Sequence, residues 1–231
     1  MKLKFDLHCH SRFSADGVAE PEDLIKVAKQ RGLNGFAITD HNTCECVDYF
    51  LQNGLMRADG LPVDDFLIIP GQEVTTAEGH LLALGITLPD LRMSPAKEVA
   101  ELIRRKGGLA IPPHPYDLFR AGIREEVLGK IKFDALEVFN AATTMKRYNR
   151  AAFDYAKTHG YPMTSSSDAH HAEAIGTAYT ILEVDDFSLA GVLKAIRNGG
   201  ELRQEYLTLK DNFKKTFNNL FRMKKKKKKK D

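Results

Sequence analysis

Short apolar runs alternate with stretches of helical periodicity from residue 3 to about residue 200. The runs at 3–7, 35–39, 66–69, 81–86, 109–111, 135–139, 162–166 and 178–184 are rich in β-branched and aromatic residues and predict strands. Between them, 22–31, 95–106, 144–159 and 188–198 space their apolar residues as amphipathic helices do. Ser94-Pro95 predicts an N-cap followed by proline at the first helical position. Gly32, Gly107, Gly160 and Gly199 fall where those helices should stop. Regular alternation of strand and helix predicts a mostly parallel α/β fold. One region departs from it: the β-rich runs 66–76 and 80–87 are separated only by Ala77-Glu78-Gly79, which predicts a hairpin.

Composition narrows the class. The 231 residues are 43% apolar, enough for an ordinary core in one large domain or two small ones. No run approaches the ~20 apolar residues of a membrane-spanning helix, and the first ten residues do not read as a signal peptide. Cys9, Cys44 and Cys46 are odd in number and form no disulfide framework, so a cytoplasmic protein with structural or surface thiols is expected. Cys44-Glu45-Cys46 is spaced too closely for a zinc pair.

Charge is uneven. Residues 210–231 hold ten Lys and one Arg against two Asp, a net +9, which leaves −6 of the formal +3 for residues 1–209. Phe213, Phe217, Leu220 and Phe221 recur there at helical spacing before seven consecutive Lys, 224–230. We expect a domain over 1–205 and a basic segment over 206–231, amphipathic and then disordered. The segment suits an anionic polymer or membrane surface, or else a helix packed on the domain.

Six of the eight histidines lie at ends of predicted strands, most beside an acid. His8 and His10 flank Cys9, and residues i and i+2 of a strand face the same way, so both imidazoles can address one ion. Asp16 follows in the loop Ser14-Ala15-Asp16-Gly17. His41 comes after the strand at 35–39 and Glu73 after that at 66–69. Glu73 and His80 share a face if the hairpin turn has two residues, and lie on opposite faces if it has three. His114 stands in Pro112-Pro113-His114-Pro115, and Asp168 and His170 make a second i, i+2 pair. Nitrogen and oxygen ligands at this density fit Zn²⁺, Mn²⁺ or Fe²⁺, and nine exceed the needs of one ion, which implies two or three.

The set Asp6-Leu7-His8-Cys9-His10-Ser11, Thr39-Asp40-His41, Gly71-Gln72-Glu73, Pro113-His114-Pro115 and Ser167-Asp168-Ala169-His170 closely resembles the PHP (polymerase and histidinol phosphatase) family. The resemblance runs over residues 1–200 in the family's order and implies a distorted seven-stranded (β/α) barrel, TIM-barrel-like, with a di- or trinuclear metal site. It implies that His8, His10, Glu73 and Asp168 hold one ion, that Glu73 bridges to a second held by His80 and His114, and that Asp16, His41 and His170 hold a third. The expected activity is hydrolysis of phosphate esters of nucleotides or short oligonucleotides by a metal-bridging hydroxide. A histidinol-phosphate-type monoesterase and a non-catalytic accessory module are the alternatives. On the substrate side, Arg120 and Arg147 are candidate phosphate contacts, and Asn140 a candidate donor at the end of its strand. His159 near a helix end reads as structural, and His171 is out of register with His170.

Overall fold

A computed structural model describes residues 1–207; the basic segment beyond, with its Phe and Lys positions, lies outside the described residues. In chain order the elements are β1 (Lys2–Cys9), α1 (Pro21–Gln30), β2 (Gly35–Ile38), α2 (Glu45–Gln52), β3 (Leu67–Ile69), β4 (Gly71–Thr76), β5 (Gly79–Leu84), α3 (Ala96–Arg105), β6 (Leu109–Ile111), α4 (Glu125–Leu128), β7 (Leu136–Asn140), α5 (Lys146–His159), β8 (Met163–Ser166), β9 (Tyr179–Glu183), α6 (Leu189–Asn198) and β10 (Glu201–Arg203). The expected strands and helices are all present, with ends shifted by a few residues. The expectation had omitted α2, the single-turn α4 and β10.

The fold is α/β, but less parallel than the alternation predicts. Ladders β1–β2, β2–β3 and β7–β8 are parallel, whereas β1–β9, β9–β10, β4–β5 and β5–β6 are antiparallel. The hairpin and the helix-poor link from β8 to β9 explain part of this, since a parallel neighbour needs a long crossover. The strands make sheets ordered β10-β9-β1-β2-β3, β4-β5-β6 and β7-β8, and no closed ring of ladders joins them among the described residues. Sparse contacts span the seams. His10 N donates to Ala169 O at 2.7 Å, Asn42 N to Glu73 O at 3.0 Å, and Glu137 N to Pro112 O at 3.3 Å.

Pro70 divides the run 66–76 into β3 and β4, which belong to different sheets. Proline has no N–H to give a ladder, so a continuous central strand is disfavoured there. In the hairpin Thr76 pairs with Gly79 and Thr75 with His80, so the turn is the two residues Ala77-Glu78 and Glu73 shares a face with His80. Glu78 also corrects the expected helix start. Its Oε2 accepts from Ala96 N at 2.8 Å, so a distant carboxylate serves the first turn of α3 and Pro95 is the N-cap residue. Gly160 ends α5 in the left-handed region, at φ 68°, as its position predicts.

Apolar side chains fill the spaces between sheets and helices. Phe5, Leu7, Ile69, Leu82, Leu84 and Ile111 pack with Val192 and Ile196 of α6. Cys9, Leu24, Phe36, Ile38 and Phe50 form a second cluster beneath α1 and α2. Val74, Leu81, Val99, Ile103, Val138 and Ala152 form a third beneath α3 and α5. Phe5, Phe36 and Phe50 are fully buried, each contributing roughly 1.5–3 kcal/mol. Tyr206 and Leu207 close the described chain against Phe139 and Ala141. No helix of the described residues is long and apolar enough to cross a membrane.

Candidate metal centre

The strand ends deliver their polar side chains to one place. Asp16, His41, Glu73, His80, His114, Asp168 and His170 line a cavity of about 380 Å³, together with Phe119, Arg120, Ala121 and Thr144. His8 and His10 lie beneath it, fully buried. The nine residues singled out as ligands are therefore neighbours, although the sequence spreads them from residue 8 to residue 170. Left-handed backbone at His114, φ 34°, and Asp168, φ 53°, aims two of them inward.

Glu73 is the hub. Its Oε2 lies 3.1 Å from His8 Nε2, 3.2 Å from His10 Nε2 and 3.4 Å from His41 Nδ1. Its Oε1 lies 2.7 Å from His80 Nδ1 and 3.1 Å from His114 Nε2. One carboxylate thus addresses two sets of imidazoles with different oxygens. Asp168 Oδ1 lies 3.4 Å from His10 Nε2 and 3.7 Å from His8 Nε2. To one side, His170 Nε2 is 2.9 Å and His41 Nε2 3.7 Å from Asp16 Oδ2.

These donors fit divalent ions. His8 Nε2 and His10 Nε2 are 3.1 Å apart. With Glu73 and Asp168 they give separations of 3.1–3.7 Å. Ligands about 2.1 Å from one tetrahedral ion sit about 3.4 Å from each other. Four groups of His, Asp and Glu have ligand atoms that converge in this way: His10 with Asp16, His41 and His170; His8 with His114 and Asp168; His8 with His10 and Glu73; and His41 with Glu73 and His80.

Electrostatics favour ionised carboxylates. Burial alone would raise the Glu73 carboxyl, but His41, His80 and His8 hold it well below the usual carboxylate range. For Asp168, burial is likewise overcome, by Arg120, His8 and His170. Burial opposes a proton on His10, yet Asp168 and Glu73 raise it to about 9. Burial lowers His114, with Glu73 opposing only in part.

A residue absent from the expectation completes the cluster. Glu137 is buried in β7, where its Oε1 accepts from His8 Nδ1 at 3.1 Å and its Oε2 accepts from His114 N at 2.7 Å. A proton on Nδ1 leaves Nε2 of His8 as a lone pair facing Glu73 and His10. The signal for it was an acid in the apolar run Ala135-Leu136-Glu137-Val138-Phe139. Asp40, also buried, accepts from the Ser11 amide and hydroxyl, both at 2.6 Å, and braces the turn after His10.

The substrate-side candidates separate. Arg120 lines the cavity and pairs with Asp168. Asn140 is fully buried, and its Nδ2 donates to Glu137 at 2.9 Å and Asp168 at 3.2 Å. Its two donors are thus engaged by carboxylates, not directed at the cavity. Arg147 does not join the group: it is exposed on the first turn of α5, its guanidinium over the Tyr148 ring. His159 stacks on Tyr155 near the end of α5, and His171 turns to Glu173, away from the cavity.

With this geometry in view, the known proteins that resemble the chain are informative. A family profile described as PHP-associated, PHP_C, matches residues 146–200. An uncharacterised protein of Methanocaldococcus jannaschii, MJ1587, is 32% identical over 149 residues, which cover 60% of this chain and 82% of the relative. A two-domain protein of Bacteroides vulgatus, containing a predicted PHP-like metal-dependent phosphoesterase, aligns with TM-score 0.67 at 20% identity, covering 89% of this chain and 65% of that one. The lesion-specific endonuclease Q of Pyrococcus furiosus aligns with TM-score 0.64 at 23% identity, covering 88% of this chain and 57% of its own. The chain therefore spans less than two thirds of either solved structure, and the likeness to them is one of fold.

Proposed function

We propose that this chain, which belongs to the PHP (polymerase and histidinol phosphatase) family, is a metal-dependent phosphoesterase acting on nucleotides or short oligonucleotides. The observation that carries the reading is Glu73, whose two oxygens face two different sets of imidazoles. A carboxylate so placed can bridge two cations a few ångströms apart. We assign His8, His10, Glu73 and Asp168 to one ion, His80 and His114 with Glu73 to a second, and Asp16, His41 and His170 to a third. Bound Mn²⁺, Zn²⁺ or Fe²⁺ would make hydroxide available near neutral pH and offset charge developing at phosphorus.

The chain's own groups do the rest. Glu137 fixes the His8 tautomer, and Asn140 holds Glu137 and Asp168 at a set spacing. Arg120, 18% exposed at the cavity wall, can swing from Asp168 to a phosphate oxygen, where a planar fork binds two oxygens at once. A partly open, polar cavity suits the phosphate of a larger molecule left partly in solvent. The endonuclease among the fold relatives supports a nucleic-acid substrate. In the same reading, the three sheets are arcs of one distorted seven-stranded barrel over residues 1–205, the segment 206–231 adds affinity for polyanions, and the free thiols suit a reducing cytoplasm.

The test is elemental analysis of the purified protein, followed by a phosphate-release screen over monoesters, cyclic phosphates and short oligonucleotides. More than one transition-metal ion per chain and turnover on nucleotides or oligonucleotides are expected. Absence of metal together with no activation by Mn²⁺ would overturn the reading.

A further inference from the structure

The rim of the cavity carries an aromatic ring that the metal cluster does not need. Phe119 is 71% exposed, the most of any large apolar side chain among the described residues, yet it lines the same cavity as Glu73 and Asp168. Its loop is braced. Asp117 is fully buried, and its carboxylate accepts from Phe119 N at 3.1 Å, Thr143 Oγ1 at 3.0 Å and Thr144 N at 2.8 Å. Its carbonyl accepts from Arg120 N at 3.1 Å and Gly122 N at 2.9 Å. Ala121 adopts the left-handed region, φ 52°, and its carbonyl accepts from His80 N at 2.8 Å. A Cβ at Gly122 would meet His114 O at 2.3 Å, so the loop presses on the backbone of a cluster residue.

A ring held in water by a buried carboxylate is thus tied to the backbone of His80 and His114. Its neighbour Arg120 turns to Asp168. A flat apolar face beside an anion-binding cavity matches a molecule that joins a phosphate to a planar ring. Base-free sugar phosphates offer Phe119 only C–H groups and no flat ring; nucleotides offer a base.

We propose that Phe119 is a stacking platform for the nucleobase next to the scissile phosphate, and that it sets a preference for nucleotides over base-free phosphate esters. The proposal rests on the phosphoesterase reading above. Base stacking on a protein aromatic changes affinity by about fivefold to a hundredfold on alanine substitution.

The chain contains no tryptophan, so Phe119→Trp places a single reporter at the rim. In the full-length, zinc-loaded protein its emission should be quenched saturably by adenosine 5′-monophosphate and not by ribose 5-phosphate at the same concentration. Separately, Phe119→Ala should lower the ratio of kcat/KM for the nucleotide over ribose 5-phosphate by about fivefold to a hundredfold, and Phe119→Tyr should restore it. Unchanged emission, equal quenching by both compounds, or equal loss on both substrates would overturn the proposal. If no phosphate ester is turned over, the functional reading fails by itself, and the quenching measurement still decides the stacking.

Discussion

His8 meets Glu137 through Nδ1 at 3.1 Å and Glu73 through Nε2 at 3.1 Å, so one imidazole is held from behind by one carboxylate while it faces another. Glu137→Gln should break this arrangement while keeping its size. An amide nitrogen beside Nδ1 would drive the proton to Nε2 and remove the lone pair that faces the cluster. We expect metal affinity to fall by about 10- to 100-fold, read by competition with a chelator. An unchanged affinity would mean that His8 does not act through Nε2.

His10→Ala and Asp168→Ala should each abolish turnover and leave the fold intact. Both side chains lie in the cluster and outside the three large apolar clusters. Loss of activity with a native circular dichroism spectrum is the expected result. Near-normal turnover in both would remove them from the site.

Metal affinity should rise with pH between about 6.5 and 9. The window comes from His10, raised from its ordinary 6.5 to about 9 because Asp168 and Glu73 outweigh burial. A raised value means that the proton stabilises the metal-free fold, fully below pH 6.5 and no longer above about pH 9. An incoming cation must displace that proton. Calorimetric titration in buffers of different ionisation enthalpy should show proton release on binding, largest near the lower end. Affinity independent of pH across this window would contradict it.

Gly122→Ala should destabilise the protein by about 1–3 kcal/mol, the usual cost of overpacking against atoms that cannot yield. The added methyl would lie 2.3 Å from His114 O, a backbone atom. Chemical denaturation would measure the loss, and a change within error would show that the loop relaxes freely.

Truncation after Leu209 should preserve turnover of a small monoester and abolish salt-sensitive retention on RNA or anionic lipid. The removed residues carry +9, and binding by counterion release weakens steeply with salt. Equal binding by the truncated chain would deny the segment this role.

Much of the site was legible because its spacings are local. His8 and His10 at i, i+2 carry their geometry in the sequence, whereas Asp168 and His170, equally spaced, lie beyond β8 and Asp168 adopts the left-handed region at φ 53°. The hairpin left two parities open for Glu73 and His80, and the pairing of Thr76 with Gly79 selects the one that puts them together. Asn140 stands in the sequence as a candidate phosphate donor at a strand end, and the carboxylates that engage it, Glu137 and Asp168, are 3 and 28 residues away. A side chain's spare hydrogen bonds become visible only when its distant neighbours are placed. The same holds for the start of α3, where Glu78 acts across 18 residues. Helix α2 had a readable pattern, with Cys46, Val47 and Phe50 buried, but spans only eight residues. The direction of β9 depends on long-range pairing, which apolar patterning does not encode, whereas the division of β3 from β4 is marked locally by Pro70.

The seams between the three sheets cross few backbone hydrogen bonds, and cluster residues flank them: His10 by Ala169, Glu73 by Asn42, Glu137 by Pro112. Cations seated there would act as rivets, fastening plates that the backbone leaves loosely joined. Stripping the metal would then do more than silence the chemistry. It would let the plates breathe against one another, and amide hydrogen exchange along 40–42 and 167–170 and at His114 would quicken long before the interiors of the sheets gave way.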